Sequence, residues 1–152
     1  MISSHTLNNI ISAKILSSTD FKSGLQELVS SVGFSNGEEE AIINDIMLRE
    51  ERFSTYFMDE VVVPSSQIKT DDLYLIAGVG KNPIRKEIAE QSDMRVIFLI
   101  LYGEKRKNEY LNLLAYIYRI VSSRQLKNKL VSCERENEIK EQLIKGIHEI
   151  ET

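Results

Sequence analysis

Ser54-Thr55-Tyr56-Phe57-Met58-Asp59-Glu60-Val61-Val62-Val63-Pro64-Ser65-Ser66-Gln67 is the stretch around which the rest of the chain is read. It follows an amphipathic helix that ends near Arg49-Glu50-Glu51-Arg52. The first residues read as a loop. Three successive valines suit a pleated, buried surface and predict a short strand. Pro64 stops that strand, because proline has no N–H to give to a ladder. Two serines stand immediately past the stop.

Upstream, Ser35-Asn36-Gly37 is a turn, and Glu38-Glu39-Glu40 follows it. Negative charge is favoured at a helix N-terminus. The helix beginning there is expected to carry Ala41, Ile42, Ile46 and Met47 inward and to end around Glu51. An earlier helix is capped by Ser18 or Thr19, whose side-chain oxygen can accept a free backbone N–H. It runs to about Val32, with Phe21, Leu25, Leu28, Val29 and Val32 on one face. Gly33 is its stop, since glycine tolerates a left-handed conformation. Before it, Ile10, Ile11, Ile15 and Leu16 suggest a short helical turn and then a strand near Ala13 to Ser17.

Downstream, Asp72 to Val79 alternates as a second strand. Pro83, Ile84, Ile88 and Ala89 give the local signature of a short helix, with proline at its first position. Met94 to Tyr102 is apolar on both alternations and reads as a central strand covered on both sides. A helix from about Asn108 to Val121 is expected to bury Leu111, Leu114, Ala115, Tyr118 and Val121. Gln125 to Leu130 makes a short helix. Ser132 caps a last one with the stripe Ile139, Leu143, Ile147 and Ile150. Strands set among helices around a doubly covered strand give an α/β domain, a mixed sheet with helices on both faces.

At 152 residues the length fits one domain spanning 1–152, with its ordered core at about 10–150. The net charge of −4, with both signs interspersed, argues against a nucleic-acid partner. The densest basic run, Lys105-Arg106-Lys107, is an ordinary solvated loop. Cys133 is the only cysteine, so no internal disulfide forms, which fits a reducing compartment. Close to a helix start it is either a reactive thiol or a bland half-buried one. The longest apolar run, Val96 to Tyr102, is far short of the roughly 20 residues of a membrane-spanning helix. The N-terminus is polar and has no signal-peptide core. The expectation is a cytoplasmic protein with no membrane insertion. No His/Cys cluster offers a metal site, and no cofactor is implied.

Arg49-Glu50, Ser54-Thr55, the strand Val61 to Pro64, the strand Val96 to Leu101 and Leu111-x-Leu113-Leu114-Ala115 occur in one order along one domain. In that order and spacing they resemble the phosphotransferase-system (PTS) EIIA domain of the fructose/mannitol/nitrogen-regulatory kind, EIIA type-2. The resemblance implies that family's fold. The family pattern is Arg-Glu, a short gap, Ser-Thr-Gly-x-Gly-x-Gly, an apolar strand, then Pro-His. Here Tyr56, Met58 and Glu60 stand where glycines are expected. Ser65 stands at the position of the phosphorylated histidine. Tyr110 stands at the position of the second, supporting histidine. Arg49 matches the family's arginine near the phosphate, and Ser66 or Gln67 replaces a residue that is often basic. The resemblance also implies an irregular or extended segment over 81–93, where the local signal suggests a helix.

The chemistry says what these replacements mean. A phosphate relay needs a nucleophile usable at neutral pH and a product that readily gives phosphate up. Imidazole, with a pKa of about 6.5, meets both needs. A serine hydroxyl is a weak nucleophile unless a base activates it. The two histidines, His5 and His148, lie near the chain ends and match neither site. The leading expectation is a catalytically inactive EIIA-like regulatory domain of nitrogen-regulatory type. It would act on a protein partner such as a transporter, a kinase or a PTS component. A phosphocarrier with a non-histidine or partner-supplied acceptor is a second reading. A small-anion or nucleotide sensor built on Arg49, Thr55, Ser65 and Ser66 is a third. Against it, Arg49 is a helix-end arginine that would pair with Glu50 or Glu60. Tyr110 is either a ligand-contacting or modified residue or a filler of the space a histidine left. Tyr56-Phe57-Met58 either plugs the old pocket or presents a docking surface.

Overall fold

Strand β6 (Met94–Gly103) is the centre of the sheet, and its sequence explains why. Val96, Phe98, Ile100 and Tyr102 enter one hydrophobic core, and Met94, Ile97, Leu99 and Leu101 enter a second on the opposite face. A strand apolar on both alternations is stable only with helices on both sides. The computed structural model describes residues 3–85 and 93–151.

Among the described residues there are six strands and six α-helices. The strands are β1 (Ile11–Leu16), β2 (Tyr56–Met58), β3 (Val61–Val62), β4 (Ser65–Ile68), β5 (Leu73–Ile84) and β6. The helices are α1 (Ser4–Ile10), α2 (Phe21–Ser30), α3 (Asn36–Arg52), α4 (Lys107–Val121), α5 (Arg124–Ser132) and α6 (Glu136–Glu151). The sheet order is β1-β5-β6-β3-β2, with β4 also paired to β6. β1 runs parallel to β5, and β3 and β4 run parallel to β6. The β5–β6 and β2–β3 pairs are antiparallel, so the sheet is mixed. Residues of α1, α4, α5 and α6 fill one core, and those of α2 and α3 fill the other.

Pro64 interrupts the edge beside β6 but does not end it. Its carbonyl accepts Ile100 N–H at 3.0 Å, and pairing resumes at once with Ser65 opposite Ile100. Only the donor is lost, so the strand resumes where the sequence reading stopped it.

Several expectations are corrected. Asp20, not Ser18 or Thr19, caps α2 by accepting Ser23 N–H at 3.0 Å. Ser18 and Ser17 instead donate their N–H and hydroxyl groups to Glu27. Ala41 is exposed and Met47 only half-buried; Ile42, Ile43, Ile46 and Glu50 face inward. The buried face of α4 is Leu113, Ile117, Ile120 and Val121, and Leu111 is exposed. That helix is apolar on more than one face. The purely aliphatic face enters the core, while the tyrosine face keeps its hydroxyls near the surface. Ser132 ends α5, donating to Lys129 O, and does not start α6.

Lys81 to Ile84 is strand, not helix, and Pro83 sits within β5. Ile84 pairs with Met94, and Arg85 N–H donates to Thr19 O at 2.8 Å. Non-local pairing wins over the local helix signal, and Pro83 falls at a register shift where no ladder donor is needed. Ile88 and Ala89 lie outside the described residues.

The Asp20 cap gives a pH-dependent prediction. The Ser23 backbone N–H, then its hydroxyl, hold the Asp20 carboxyl below its ordinary value. A depressed folded pKa means that the cap's contribution is complete above the unfolded carboxylate range. It is lost as pH falls through the folded value. Asp20→Ala should cost about 1 kcal/mol at neutral pH. The gap in thermal midpoint between variant and wild type should close on acidification.

Candidate functional site

The site forms where β4 begins, at the end of α3 and the start of α4. Ser65 is the first residue of β4, and its hydroxyl lies 3.0 Å from the Tyr110 hydroxyl. Tyr110 is in the first turn of α4. Its ring stacks on Tyr102 of β6, with centroids 4.1 Å apart and planes 6° from parallel. Two residues far apart in the chain are thus brought together, and the tyrosine is held by the central strand.

Arg49 reaches the same point from the last turn of α3. Its Nη1 donates to the Ser65 carbonyl at 3.1 Å and stands 3.9 Å from Asp45. The carboxylate it meets is Asp45, while Glu60 pairs elsewhere. Ser66 is buried and donates its hydroxyl to Asp45 at 2.8 Å. Thr55 donates both its N–H and its hydroxyl to Glu50, with the N–H at 3.0 Å from Oε2. Glu50 is 3% exposed, so these bonds hold a carboxylate that burial would otherwise destabilise. Each hydroxyl of the proposed anion set therefore has a protein partner.

The loop before β3 is tied from a side that the sequence reading missed. Asp59 and Glu60 take positive φ, 52° and 68°. Glu60 stands where the family pattern has glycine, and its backbone keeps a conformation that glycine adopts without strain. Lys127 of α5 lies 3.4 Å from both Asp59 Oδ1 and Glu60 Oε1. A lone lysine in a short helix carries no local signal for this. Tyr56 turns its hydroxyl back onto the loop and accepts Glu60 N–H at 3.1 Å. The group against Ser65 is therefore Tyr110. Phe57 and Met58 are exposed, with the Phe57 ring 4.8 Å from that of Tyr118. Burial pushes the Tyr118 phenol above its ordinary value, and Tyr110 and Glu50 push it the same way. A cleft of about 640 Å³ opens beside Ser65, walled by Asp45, Arg49, Ser66, Ile68, Lys69 and Tyr102.

The remaining candidates lie elsewhere. His148 is 3.4 Å from the Ser4 hydroxyl and His5 is 3.3 Å from Asn9, both at the α1 end of the molecule. Cys133 caps the C-terminus of α5, and burial, then Glu138, push its thiol up. That environment disfavours the reactive thiolate. Among the described residues no group of three or more His, Cys, Asp and Glu is gathered to hold a metal ion. No described helix is long and apolar enough to cross a membrane.

The sequence pattern described as "Phosphoenolpyruvate-dependent sugar phosphotransferase system, EIIA 2" matches residues 8–146. The chain belongs to the EIIA type-2 family of the phosphotransferase system. No curated protein matches the sequence. The fold of this EIIA domain is that of nitrogen regulatory protein IIA-Ntr from Neisseria meningitidis. The two share 17% identity over 90% of this chain and 94% of that one, with a TM-score of 0.69. IIA mannitol from Escherichia coli is similar at 13% identity over 89% and 95%, with a TM-score of 0.63. The same holds for the Escherichia coli complex of enzyme IIAMtl with phosphorylated enzyme IIBMtl, at 13% identity over 94% and 96% and a TM-score of 0.63.

Two substitutions separate what holds the loop from what pairs with Tyr110. Thr55→Val removes one donor from the buried Glu50 carboxylate and should cost about 1–3 kcal/mol. Ser65→Ala leaves only a half-buried tyrosine hydroxyl, which water can satisfy, and should cost no more than about 1 kcal/mol. Urea unfolding of the two variants against the parent checks the contrast.

Proposed function

We propose that this EIIA domain does not pass phosphate and acts in the cytoplasm by docking a protein partner. The observation that carries the reading is the Ser65–Tyr110 hydroxyl pair, 3.0 Å apart, at the two positions that the resemblance assigns to histidines. Neither hydroxyl is a base for the other at neutral pH, and a serine phosphoester is a poor phosphate donor. Glu60 adds a carboxylate to the loop that borders the site.

Docking draws support from exposed apolar residues on the elements that bring that pair together. Leu48, Phe53, Phe57, Met58 and Leu111 are the exposed large hydrophobic residues among those described. Leu48 and Phe53 sit at the end of α3, Phe57 and Met58 in β2, and Leu111 beside Tyr110. Phe53 is 83% exposed. Exposed large apolar residues on the elements that carry the site offer a surface to a partner. The Escherichia coli IIAMtl structure in complex with a phosphorylated IIB makes a IIB-like PTS component one candidate partner. A transporter or a kinase is another.

Incubation with phosphoenolpyruvate and the two general phosphotransferase-system proteins tests the first half. The expected result is no acid-labile phosphate and no acid-stable phosphoserine. Stoichiometric acid-labile phosphate on the unmodified chain would overturn the reading. Ser65→His alone should restore little, because Tyr110 still fills the supporting position. Changing Ser65, Tyr110, Tyr56, Met58 and Glu60 together toward the family pattern should restore more, since residues that act as a unit are non-additive.

A second reading, a small-anion sensor, is favoured by the cleft of about 640 Å³ that exposes Arg49 beside Ser66. Saturable binding of a phosphate-bearing ligand that is lost in Arg49→Gln would promote it over docking.

A further inference from the structure

Helices α4, α5 and α6 enclose a second concavity of about 180 Å³. One cation from each helix lines it: Arg119, Lys129 and Lys145. Among the described residues, none of the three side chains has a salt bridge or a side-chain hydrogen bond. Glu149 is the one carboxylate in the lining, and Ser123, Gln125 and Gln142 add neutral polar groups. Three cations against one acid is a local excess in a chain whose net charge is −4. Like charges gathered around one small cavity repel each other, and an anion placed between them removes that repulsion. The Ser123 side chain makes no capping bond to the first turn of α5, so its hydroxyl is available as a further donor. The volume lies below the roughly 300 Å³ at which pockets for drug-sized ligands begin, so the occupant is small.

We propose that this concavity binds a small phosphate-class anion, of the size of inorganic phosphate or pyrophosphate. The guanidinium of Arg119 suits two phosphate oxygens at once, and the two ammonium groups supply point charge. The site is separate from Arg49 and Ser65. It shares α5 with the loop, since Lys127 of that helix holds Asp59 and Glu60.

The test is calorimetric titration of pyrophosphate, and separately of orthophosphate, into the full chain at low ionic strength. Saturable binding is expected, tighter for pyrophosphate and weakening as salt is added. The double variant Arg119→Gln/Lys145→Gln should bind at least about tenfold more weakly, while Arg49→Gln should bind as the parent does. All three residues are exposed, and circular dichroism melts check that the variants fold. If the double variant does not fold, Lys145→Gln alone takes its place. Amide NMR shifts on titration should move at residues 123–126 and not at residues 49 and 66. Absence of saturation overturns the proposal. So does undiminished binding by the pocket variant, or binding lost with Arg49→Gln.

Discussion

Strand β6 is paired on both edges and buried on both faces, and the site depends on it. Its last residues pair with β4 on one side and β5 on the other, so the position of Ser65 is set by the register Ser65–Ile100. Tyr102, near the end of the same strand, sets the plane against which the Tyr110 ring lies. A one-residue slip would exchange the two cores, because side chains alternate across a sheet. With apolar residues on both faces, the pattern of β6 alone does not fix its register. The antiparallel ladder with β5 supplies that, over Leu73 to Val79.

On this frame the hydroxyls around Ser65 form a set of paired groups. Ser65 is matched to Tyr110, Ser66 to Asp45, and Thr55 to Glu50. The loop that carries glycines in the family pattern keeps left-handed backbone at Asp59 and Glu60. Placing non-glycine residues there costs on the order of 1–2 kcal/mol each. Lys127 opposes that strain by holding both carboxylates, in a partly buried setting where ion pairs are screened less than at the surface. Changing Ser65 alone therefore leaves the loop's own fastening unchanged.

Much of this was legible in the sequence because it rests on local patterns. The doubly apolar run from Met94 to Tyr102 announced a central strand. The Arg49, Ser54-Thr55 and Pro64 spacing pointed to the family. What local pattern misses is set by distant partners. Pro83 looked like a helix start until Ile84 found Met94 across the sheet. Thr19 looked like a cap, but its carbonyl is taken by Arg85 and Asp20 does the capping. Lys127 gave no sign of its role, since only the packing of α5 brings it to Asp59. On α4, two apolar faces competed, and the aromatic one stayed near the surface.

The chain contains no tryptophan and six tyrosines, and three of them, Tyr102, Tyr110 and Tyr118, gather at this site. The near-parallel Tyr102–Tyr110 stack couples two chromophores in a fixed orientation. That coupling adds to the near-ultraviolet circular dichroism a component that arises beside Ser65. Any event that parts those rings changes an optical signal that needs no attached label, and the protein reports on its own site.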